Sequence, residues 1–217
     1  TDWSLKELDG LNSLNKLKHF EINSTEHYIN DGLHNNLKSL KSLLNKSLDM
    51  TSLDLSNFRA LEDLEGLQSM TKLKTLDISD CGSLRNVDVL KNLAHLEDVK
   101  FDNLYSLESL ENLNYTGTEL SLWGMDALNN LDGVQNMLQL ESITIASASI
   151  SDITALKGLK SLKEIFFRSC DNLLSLSGIE SLPSLELLDI ESEVINSLSD
   201  LKDLKSLVKA VIECDKL

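Results

Sequence analysis

The sequence predicts an α/β solenoid: a curved, right-handed coil with a parallel β-sheet on its concave side and short helical, 3-10 or turn segments on its convex side. Two observations lead to this prediction. A pattern of apolar residues recurs about every 22 residues along nearly the whole chain. Within each repeat the apolar residues are three positions apart, except for the last pair, which are two apart. A sequence period of this length is typical of solenoid proteins.

The repeat is clearest in residues 73–84, LKTLDISDCGSL, which return at residues 162–173 as LKEIFFRSCDNL. Seven of the nine units carry an apolar residue at all of the offsets 0, 3, 6, 9, 12, 15 and 17. Because 41% of the chain is hydrophobic, one such match by chance has a probability of roughly 0.002, so composition alone does not explain the pattern. The nine units begin at Leu5, Tyr28, Leu61, Leu84, Leu107, Leu128, Ile150, Leu173 and Ile195.

The spacing within a unit predicts its conformation. Steps of three residues do not follow one face of an α-helix, whose apolar stripe mixes steps of three and four. They suit an arc of turns or 3-10 segments in which every third side chain points inward. The final step of two places Leu76 and Ile78 on the same face of a strand. Each unit is therefore expected to form one coil, and stacking the coils pairs the strands and covers the leucines.

The whole chain, residues 1–217, is expected to form one domain of about nine units, and because it begins without methionine it is expected to be a fragment of a longer protein. The second unit is about ten residues longer than the others, which predicts an irregular insertion within residues 29–50. The fifth unit is two residues shorter, and Tyr115 is expected to fill the space of its missing leucine. Glycine recurs at offset five of four units, where a close backbone approach or a positive φ is convenient but not obligatory.

Charge and hydropathy exclude several classes of partner. The chain has 35 acidic and 20 basic residues, a formal net charge of -15, which argues against binding to nucleic acid or to an anionic lipid surface. No apolar run approaches the ~18 residues of a transmembrane helix, so membrane insertion is not expected. A protein partner, including a basic one, is compatible with this composition.

Two of the three cysteines occupy equivalent positions in different units. Cys81 and Cys170 lie four coils apart, which corresponds to roughly 19 Å along a parallel ladder. A disulfide needs Cα atoms within about 7 Å of each other. Both residues are therefore predicted to be buried structural thiols.

The pattern L-x-x-L-x-I-x-x-C-x-x-L at residues 73–84 resembles the leucine-rich repeat signature. Residues 150–165, ISDITALKGLKSLKEI, are similar to internalin-type repeats of about 22 residues. The resemblance implies a curved parallel β-solenoid that binds proteins, or less often glycans, on its concave strand face. It also favours a secreted or cell-surface location over a cytoplasmic one.

The chain departs from that family at one position of the repeat. The family usually places asparagine there, and its amide bonds neighbouring backbones in a ladder. Without that ladder, the backbone groups at the turn are expected to find other partners. In this chain the position is occupied by Thr25, Phe58, Cys81, Leu104, Met125, Ala148, Cys170, Glu193 and Asp215.

No motif for catalysis or cofactor binding is present. Nucleophile elbows, phosphate loops, EF-hand loops and the HExxH motif are all absent, so the chain is predicted not to be an enzyme and to hold no cofactor. His27 and His34 lie near Glu26 and Asp31, but their spacing fits no zinc pattern. Solvated loop histidines are the favoured interpretation.

The outward side of the predicted strands is the candidate binding face. Trp123, Phe166 and Arg168 project there and are the predicted partner-binding residues, because aromatic side chains and arginine are enriched at interface hot spots. Leu187 lies on the same face and completes this set. The alternative for Trp123 is that it turns inward and fills space in the shortened fifth unit.

An acidic group is predicted to flank these residues on the same face. Its members are Asp54, Asp77, Asp98 and Asp102, which lie in the N-terminal half of the sheet. Carboxylates placed in this way can steer a basic partner toward the concave side. The alternative is that they are ordinary solvated surface charges.

Two functions follow from the sequence. The first is a non-catalytic recognition module, monomeric, that binds a protein partner on its concave face. The second is a structural spacer or dimerisation arm within a larger surface or effector protein.

Overall fold

A computed structural model describes residues 17–20, 37–44 and 48–213 of the chain. These residues form short strands and 3-10 segments, and no α-helix occurs among them. The strands are β1 (His19–Phe20), β2 (Ser52–Asp54), β3 (Thr75–Asp77), β4 (Asp98–Lys100), β5 (Glu119–Trp123), β6 (Ser142–Ala146), β7 (Glu164–Arg168), β8 (Leu187–Glu191) and β9 (Lys209–Glu213). The 3-10 segments are Lys41–Leu43, Leu67–Ser69, Asp88–Asn92, Val134–Asn136, Thr154–Leu156 and Ser199–Leu201.

The strands pair in parallel and in chain order, as one strand per coil requires. Strands β1 to β4 form one sheet and β5 to β9 form a second. The register aligns equivalent positions of successive units, so that Leu53, Leu76 and Val99 face one another along the first sheet. The predicted parallel ladder is confirmed, although it is divided in two between β4 and β5.

The apolar positions of the repeat form the interior. In the third unit all seven, from Leu61 to Ile78, are at most 2% exposed. A single hydrophobic cluster extends from Leu37 to Leu204 and crosses the division between the two sheets. Burial of these side chains is the main favourable contribution to folding, at roughly 1.5–3 kcal/mol for each one.

The cysteine prediction is confirmed. Cys81 and Cys170 are free thiols, fully buried in this core. The Cys81 thiol donates a hydrogen bond to the carbonyl of Leu55 at 3.1 Å, and burial raises its pKa to about 12. Burial likewise raises the pKa of Cys170.

The glycines at offset five are required by the stacking of coils. Gly66, Gly133 and Gly178 have φ values of 120°, 109° and 119°. A Cβ on any of the three would overlap the backbone of the preceding coil, at Leu40, Leu110 or Ile153. The expectation that glycine is merely convenient at these three positions is therefore wrong.

Units without this glycine solve the same problem with a different backbone. Val89 and Ala155 stand at offset five of the fourth and seventh units, and there the 3-10 segment begins at offset four, at Asp88 and Thr154. In the glycine-containing third unit it begins at offset six, at Leu67. Glycine thus decides where in the arc the 3-10 turn starts.

The second unit has a different register from the one the sequence suggests. The N–H of Glu62 donates to the carbonyl of Lys38 at 2.9 Å, which is the bond that joins the first arc residues of other neighbouring units. Leu37, and not Tyr28, is therefore equivalent to Leu61. Most of the predicted insertion then falls among residues 28–36, which lie outside the described ranges.

Backbone and hydroxyl groups replace the missing asparagine ladder, as expected. Asp80 and Asn103 adopt φ values of 61° and 60° just after their strands, a conformation that these residue types tolerate. The N–H of Asp80 donates a hydrogen bond to the backbone carbonyl of Asp102 on the next coil at 2.8 Å. In the sixth unit the buried Ser147 hydroxyl donates to the carbonyl of Met125 at 2.8 Å.

Tyr115 divides the sheet between β4 and β5. It is 7% exposed and belongs to the core cluster, so the expectation that it fills the shortened fifth unit is confirmed. Its hydroxyl donates to the carbonyl of Glu119 on β5 at 2.6 Å and accepts a backbone hydrogen bond from Val99 on β4. A Cβ at Gly117 would overlap the tyrosine hydroxyl, so this wedge needs glycine nearby. One side chain therefore occupies the place of ladder hydrogen bonds.

Candidate functional site on the strand face

The alternation of the strands determines which side chains reach the outer face of the sheet, here called the strand face. Strand β5 alternates exposed and buried residues, and Trp123 is 48% exposed. The alternative in which Trp123 fills the core is therefore wrong. Phe166 and Arg168 on β7 also lie on the strand face, and both are half-buried.

The register places two small side chains between these larger ones, and we call the group the saddle; its members are Trp123, Thr144, Ala146, Phe166 and Arg168. Ala146 on β6 pairs with Trp123 on one side and with Arg168 on the other. Thr144 pairs with Phe166 in the adjacent row. Because parallel strands are about 4.8 Å apart, the Trp123 and Arg168 backbones are about 10 Å apart across a floor of two small side chains.

Arg168 is held in place by its neighbours. Its Nη1 atom lies 2.8 Å from Asp189 Oδ1, and its Nε atom lies 3.9 Å from Glu191 Oε2. The guanidinium carbon is 5.7 Å from the centroid of the Phe166 ring, within the range of a cation–π contact. The hydrogen bond that Arg168 donates to Asp189 raises the pKa of Arg168. The guanidinium group of Arg168 is therefore held in one position, and the carboxylates of Asp189 and Glu191 offset most of its charge.

Leu187 lies beyond the saddle. It is half-buried on β8 and pairs with Glu164 and Lys209. It is thus one strand further along than Phe166 and in the neighbouring row of side chains. Leu187 borders the candidate surface without contributing to its floor.

The predicted acidic group divides into two kinds of carboxylate. Asp54 and Asp77 are half-buried and accept hydrogen bonds from the backbone N–H two residues later, at 2.8 and 3.0 Å. Asp77 is also paired with Lys100 at 3.1 Å. Asp98 is exposed, whereas Asp102 is half-buried. Burial raises the pKa of Asp102, and the hydrogen bond from Ser121 opposes this effect.

Tyr105 is a surface residue that the sequence analysis missed. It is 49% exposed, and its ring lies over Gly82 and Gly124 on the coils to either side. A Cβ at these glycines would lie 3.0 and 3.3 Å from ring carbons of Tyr105. Because Gly124 follows Trp123 directly, Tyr105 extends the aromatic surface at this edge. Glycines in the coils flanking a tyrosine were the available signal.

The described part of the chain gives no sign of a metal site or a membrane span. No cluster of potential metal ligands occurs there, and none of its helices is long and apolar enough to cross a bilayer. His27 and His34, with Glu26 and Asp31, lie outside the described residues.

A parallel ladder with one short strand per coil and a leucine-lined interior defines a leucine-rich repeat protein. The profile of the BspA type leucine rich repeat region matches in six copies, over residues 11–121, 56–174 and 118–207. The chain belongs to the BspA-type leucine-rich repeat family. No curated protein matches the chain significantly in sequence.

Solved structures share this fold at low sequence identity. Internalin C2 from Listeria monocytogenes is 20% identical, with a TM-score of 0.57, over 98% of this chain and 78% of that one. The leucine-rich repeat domain of the type III effector XopL is 20% identical, with a TM-score of 0.58, over 92% and 77%. The structure of a TLR13–ssRNA13 complex is 16% identical, with a TM-score of 0.50, over 93% of this chain and 33% of that one. Leucine-rich repeat proteins generally mediate protein–protein interactions, and BspA-type and internalin-like repeats are often found on bacterial surfaces.

Proposed function

We propose that the chain is a non-catalytic recognition module, secreted or on a cell surface, that binds a protein partner in the saddle on the concave side. The observation that carries this proposal is the exposure of Trp123 beside a floor of small side chains. A tryptophan that is 48% exposed on a sheet of mostly polar residues leaves apolar area in contact with water. Covering that area is favourable for binding.

Preorganisation supports the same site. Arg168 and Phe166 are already stacked, and Asp189 fixes the guanidinium before any partner arrives. Binding therefore loses little side-chain entropy at these positions, which otherwise costs about 0.5–1.5 kcal/mol for each immobilised side chain. A partner side chain seated over Ala146 would contact Trp123 on one side and the Arg168–Phe166 stack on the other.

Charge favours a basic protein over a nucleic acid. One structural neighbour is a complex with single-stranded RNA. This chain carries a net charge of -15, which repels phosphate groups and attracts basic surfaces. The carboxylates Asp54, Asp77, Asp98 and Asp102, with Leu187, form the flank of the proposed interface.

The test compares two double variants as immobilised baits. Trp123→Ala/Phe166→Ala removes both aromatic side chains of the saddle, and Leu138→Ala/Leu174→Ala removes two leucines that are 65% and 64% exposed outside the strands. Binding of a captured partner is then measured by calorimetry. We expect the saddle variant to lose about a hundredfold in affinity or more, since hot-spot truncations cost about 2 kcal/mol each, and the control to keep it.

Full affinity of the saddle variant would contradict the proposal. The spacer or dimerisation role would then be the alternative, and sedimentation velocity would test it directly. All four substituted residues are exposed or half-buried. Both variants should therefore have the same midpoint of urea unfolding as the wild type. An unchanged midpoint shows that a loss of affinity comes from the missing contacts and not from unfolding.

A further inference from the structure

The division between the two sheets opens a cleft on the strand face. Strands β4 and β5 are consecutive but belong to separate sheets in the described residues. Two backbone hydrogen bonds, one at each end of the gap, still join the two coils. The N–H of Asn103 donates to the Trp123 carbonyl at 2.7 Å, and the N–H of Thr116 donates to the Leu96 carbonyl at 3.1 Å. Between them lies a cavity of about 390 Å³, enough for roughly a dozen waters.

Backbone groups of β4 face this cleft. Successive residues of a parallel strand direct their N–H and C=O groups to alternate sides. The carbonyl of Lys100 accepts a hydrogen bond from Ile78 on β3, so the adjacent residues Val99 and Phe101 face β5. The hydroxyl of Tyr115 accepts the hydrogen bond of the Val99 N–H. The Val99 carbonyl points to the same side as its N–H, and Val99 lines the cleft.

The charges that line the cleft are unbalanced. Asp98 on β4 and Glu119 on β5 occupy equivalent positions across the gap, and the structure records no ion pair for either within its described part. Both carboxylates lie close enough to the Tyr115 hydroxyl to raise its pKa, and like charges beside one gap repel each other. Lys100, the cation of this group, is paired with Asp77 on the far side. Asp102 has one long hydrogen bond, from Ser121 at 3.5 Å.

We propose that this cleft receives an arginine side chain from an extended segment of the protein partner, an inference that rests on the proposed function. A guanidinium group carries five N–H donors in a plane and no acceptor, which suits a site of spread-out carboxylates and a carbonyl. A bare metal ion suits it less, because no three such ligands converge in the described residues. Burial, Asp77 and Asp80 raise the pKa of Asp102, and the attraction of Lys100 opposes them less than the hydrogen bond from Ser121 does.

The saddle and the cleft lie on the same strand and can be occupied together. Trp123 ends β5, and Ser121 and Glu119 precede it with side chains on the same face. Residues two apart on a strand are about 6.6 Å apart, so the positions of Trp123 and Glu119 differ by about 13 Å. A partner segment running along β5 could place one side chain in the saddle and an arginine in the cleft.

The probe for the cleft is the blocked tripeptide acetyl-Ala-Arg-Ala-amide, titrated to about 20 mM because so few contacts give only millimolar affinity. Amide NMR spectra of the full chain report the site through Phe101 and Ser121. We expect saturable shifts at these amides. We expect the citrulline tripeptide, which is neutral and nearly isosteric, to produce none.

Variants separate the cleft from general electrostatics. Asp102→Asn and Glu119→Gln should each weaken tripeptide binding about tenfold or more, the loss of one charge-assisted hydrogen bond. Glu108→Gln, an exposed carboxylate outside the strands, changes the net charge equally and should have no effect. Spectra away from the cleft confirm that each variant is folded.

Three outcomes would overturn the inference: no saturable shift at Phe101 and Ser121, equal binding of the citrulline tripeptide, or tighter binding of a lysine tripeptide. The Trp123→Ala/Phe166→Ala variant should bind the arginine tripeptide as the wild type does. If that variant keeps its protein partner while the tripeptide still binds, the saddle proposal fails and the cleft remains. If the tripeptide result is negative while that variant loses the partner, only the cleft fails.

Discussion

Replacing Gly133 with alanine tests whether close approach between coils, and not only backbone conformation, requires glycine at offset five. Gly158 provides a matched control. Both residues have a positive φ, 109° at Gly133 and 85° at Gly158. A Cβ at Gly158 would meet no atom within 4 Å, whereas a Cβ at Gly133 would overlap the Leu110 carbonyl and lie 2.9 Å from the Glu111 Cα. Both alanine variants therefore carry the cost of a positive φ, and only Gly133→Ala adds the contact.

The expected magnitudes follow from these contacts. An L-residue in the left-handed region costs roughly 1–2 kcal/mol, which is the whole loss of unfolding free energy expected for Gly158→Ala. At Gly133 the coils must also move apart, and relieving an overlap of this kind adds about 1–3 kcal/mol. Alanine restricts the unfolded chain by the same amount in both variants. The difference between them is thus expected to be about 1–3 kcal/mol.

Urea unfolding followed by circular dichroism measures this difference. Gly133→Ala should unfold at a clearly lower urea concentration than Gly158→Ala, with a similar slope. Gly178→Ala, whose Cβ would lie 2.5 Å from the Ile153 carbonyl oxygen, should behave like Gly133→Ala. If all three variants lost the same free energy, the argument from coil stacking would be refuted and φ alone would explain the glycines.

Two further predictions concern buried polar groups. Tyr115→Phe should lower the unfolding free energy by about 1–3 kcal/mol in the same assay, because the Glu119 carbonyl loses its donor while the ring still fills the core; an unchanged midpoint would contradict the wedge. The Cys81 thiol has a pKa of about 12 in the folded chain, against 9.0 for a solvated thiol such as that of the unfolded chain. Between about pH 9 and 12, therefore, only the unfolded chain releases this proton. The wild type should therefore lose about 1.4 kcal/mol per pH unit between about pH 9 and 12 relative to Cys81→Ala, and parallel pH profiles of the two proteins would disprove this.

The fold was predictable because its information is repeated. Each inward position, such as Leu76 or Leu188, is specified in many units at once, and both are at most 1% exposed. The second unit was harder, since its added length obscures its start: steps of three from Tyr28 reach Asp31 and His34, and the apolar steps are regular only from Leu37 to Leu43. The hydrogen bond between Glu62 and Lys38 and the close approach of Gly66 to Leu40 both place the start of the unit at Leu37.

The site was predictable in its composition but not in its interactions. Strand alternation is sufficient to place Trp123, Phe166 and Arg168 on one face. The pairing of Arg168 with Asp189 joins residues on different coils and depends on side-chain rotamers, which a repeat pattern does not specify. The short fifth unit marked the irregular place, but the repeat pattern could not show that the Tyr115 hydroxyl bonds Val99 and Glu119 where the ladder is interrupted.

Tyr115 and Gly117 also bear on how arrays of this kind change length during evolution. A deletion of two residues would ordinarily leave a hole in the interior and unpaired amides at the strands. Here an aromatic ring closes the hole, its hydroxyl bonds one carbonyl and one N–H of the two strands, and the missing Cβ of a nearby glycine gives it room. A side chain at position 117 would collide with the ring, so in descendants of this gene Tyr115 is expected to persist only where Gly117 persists.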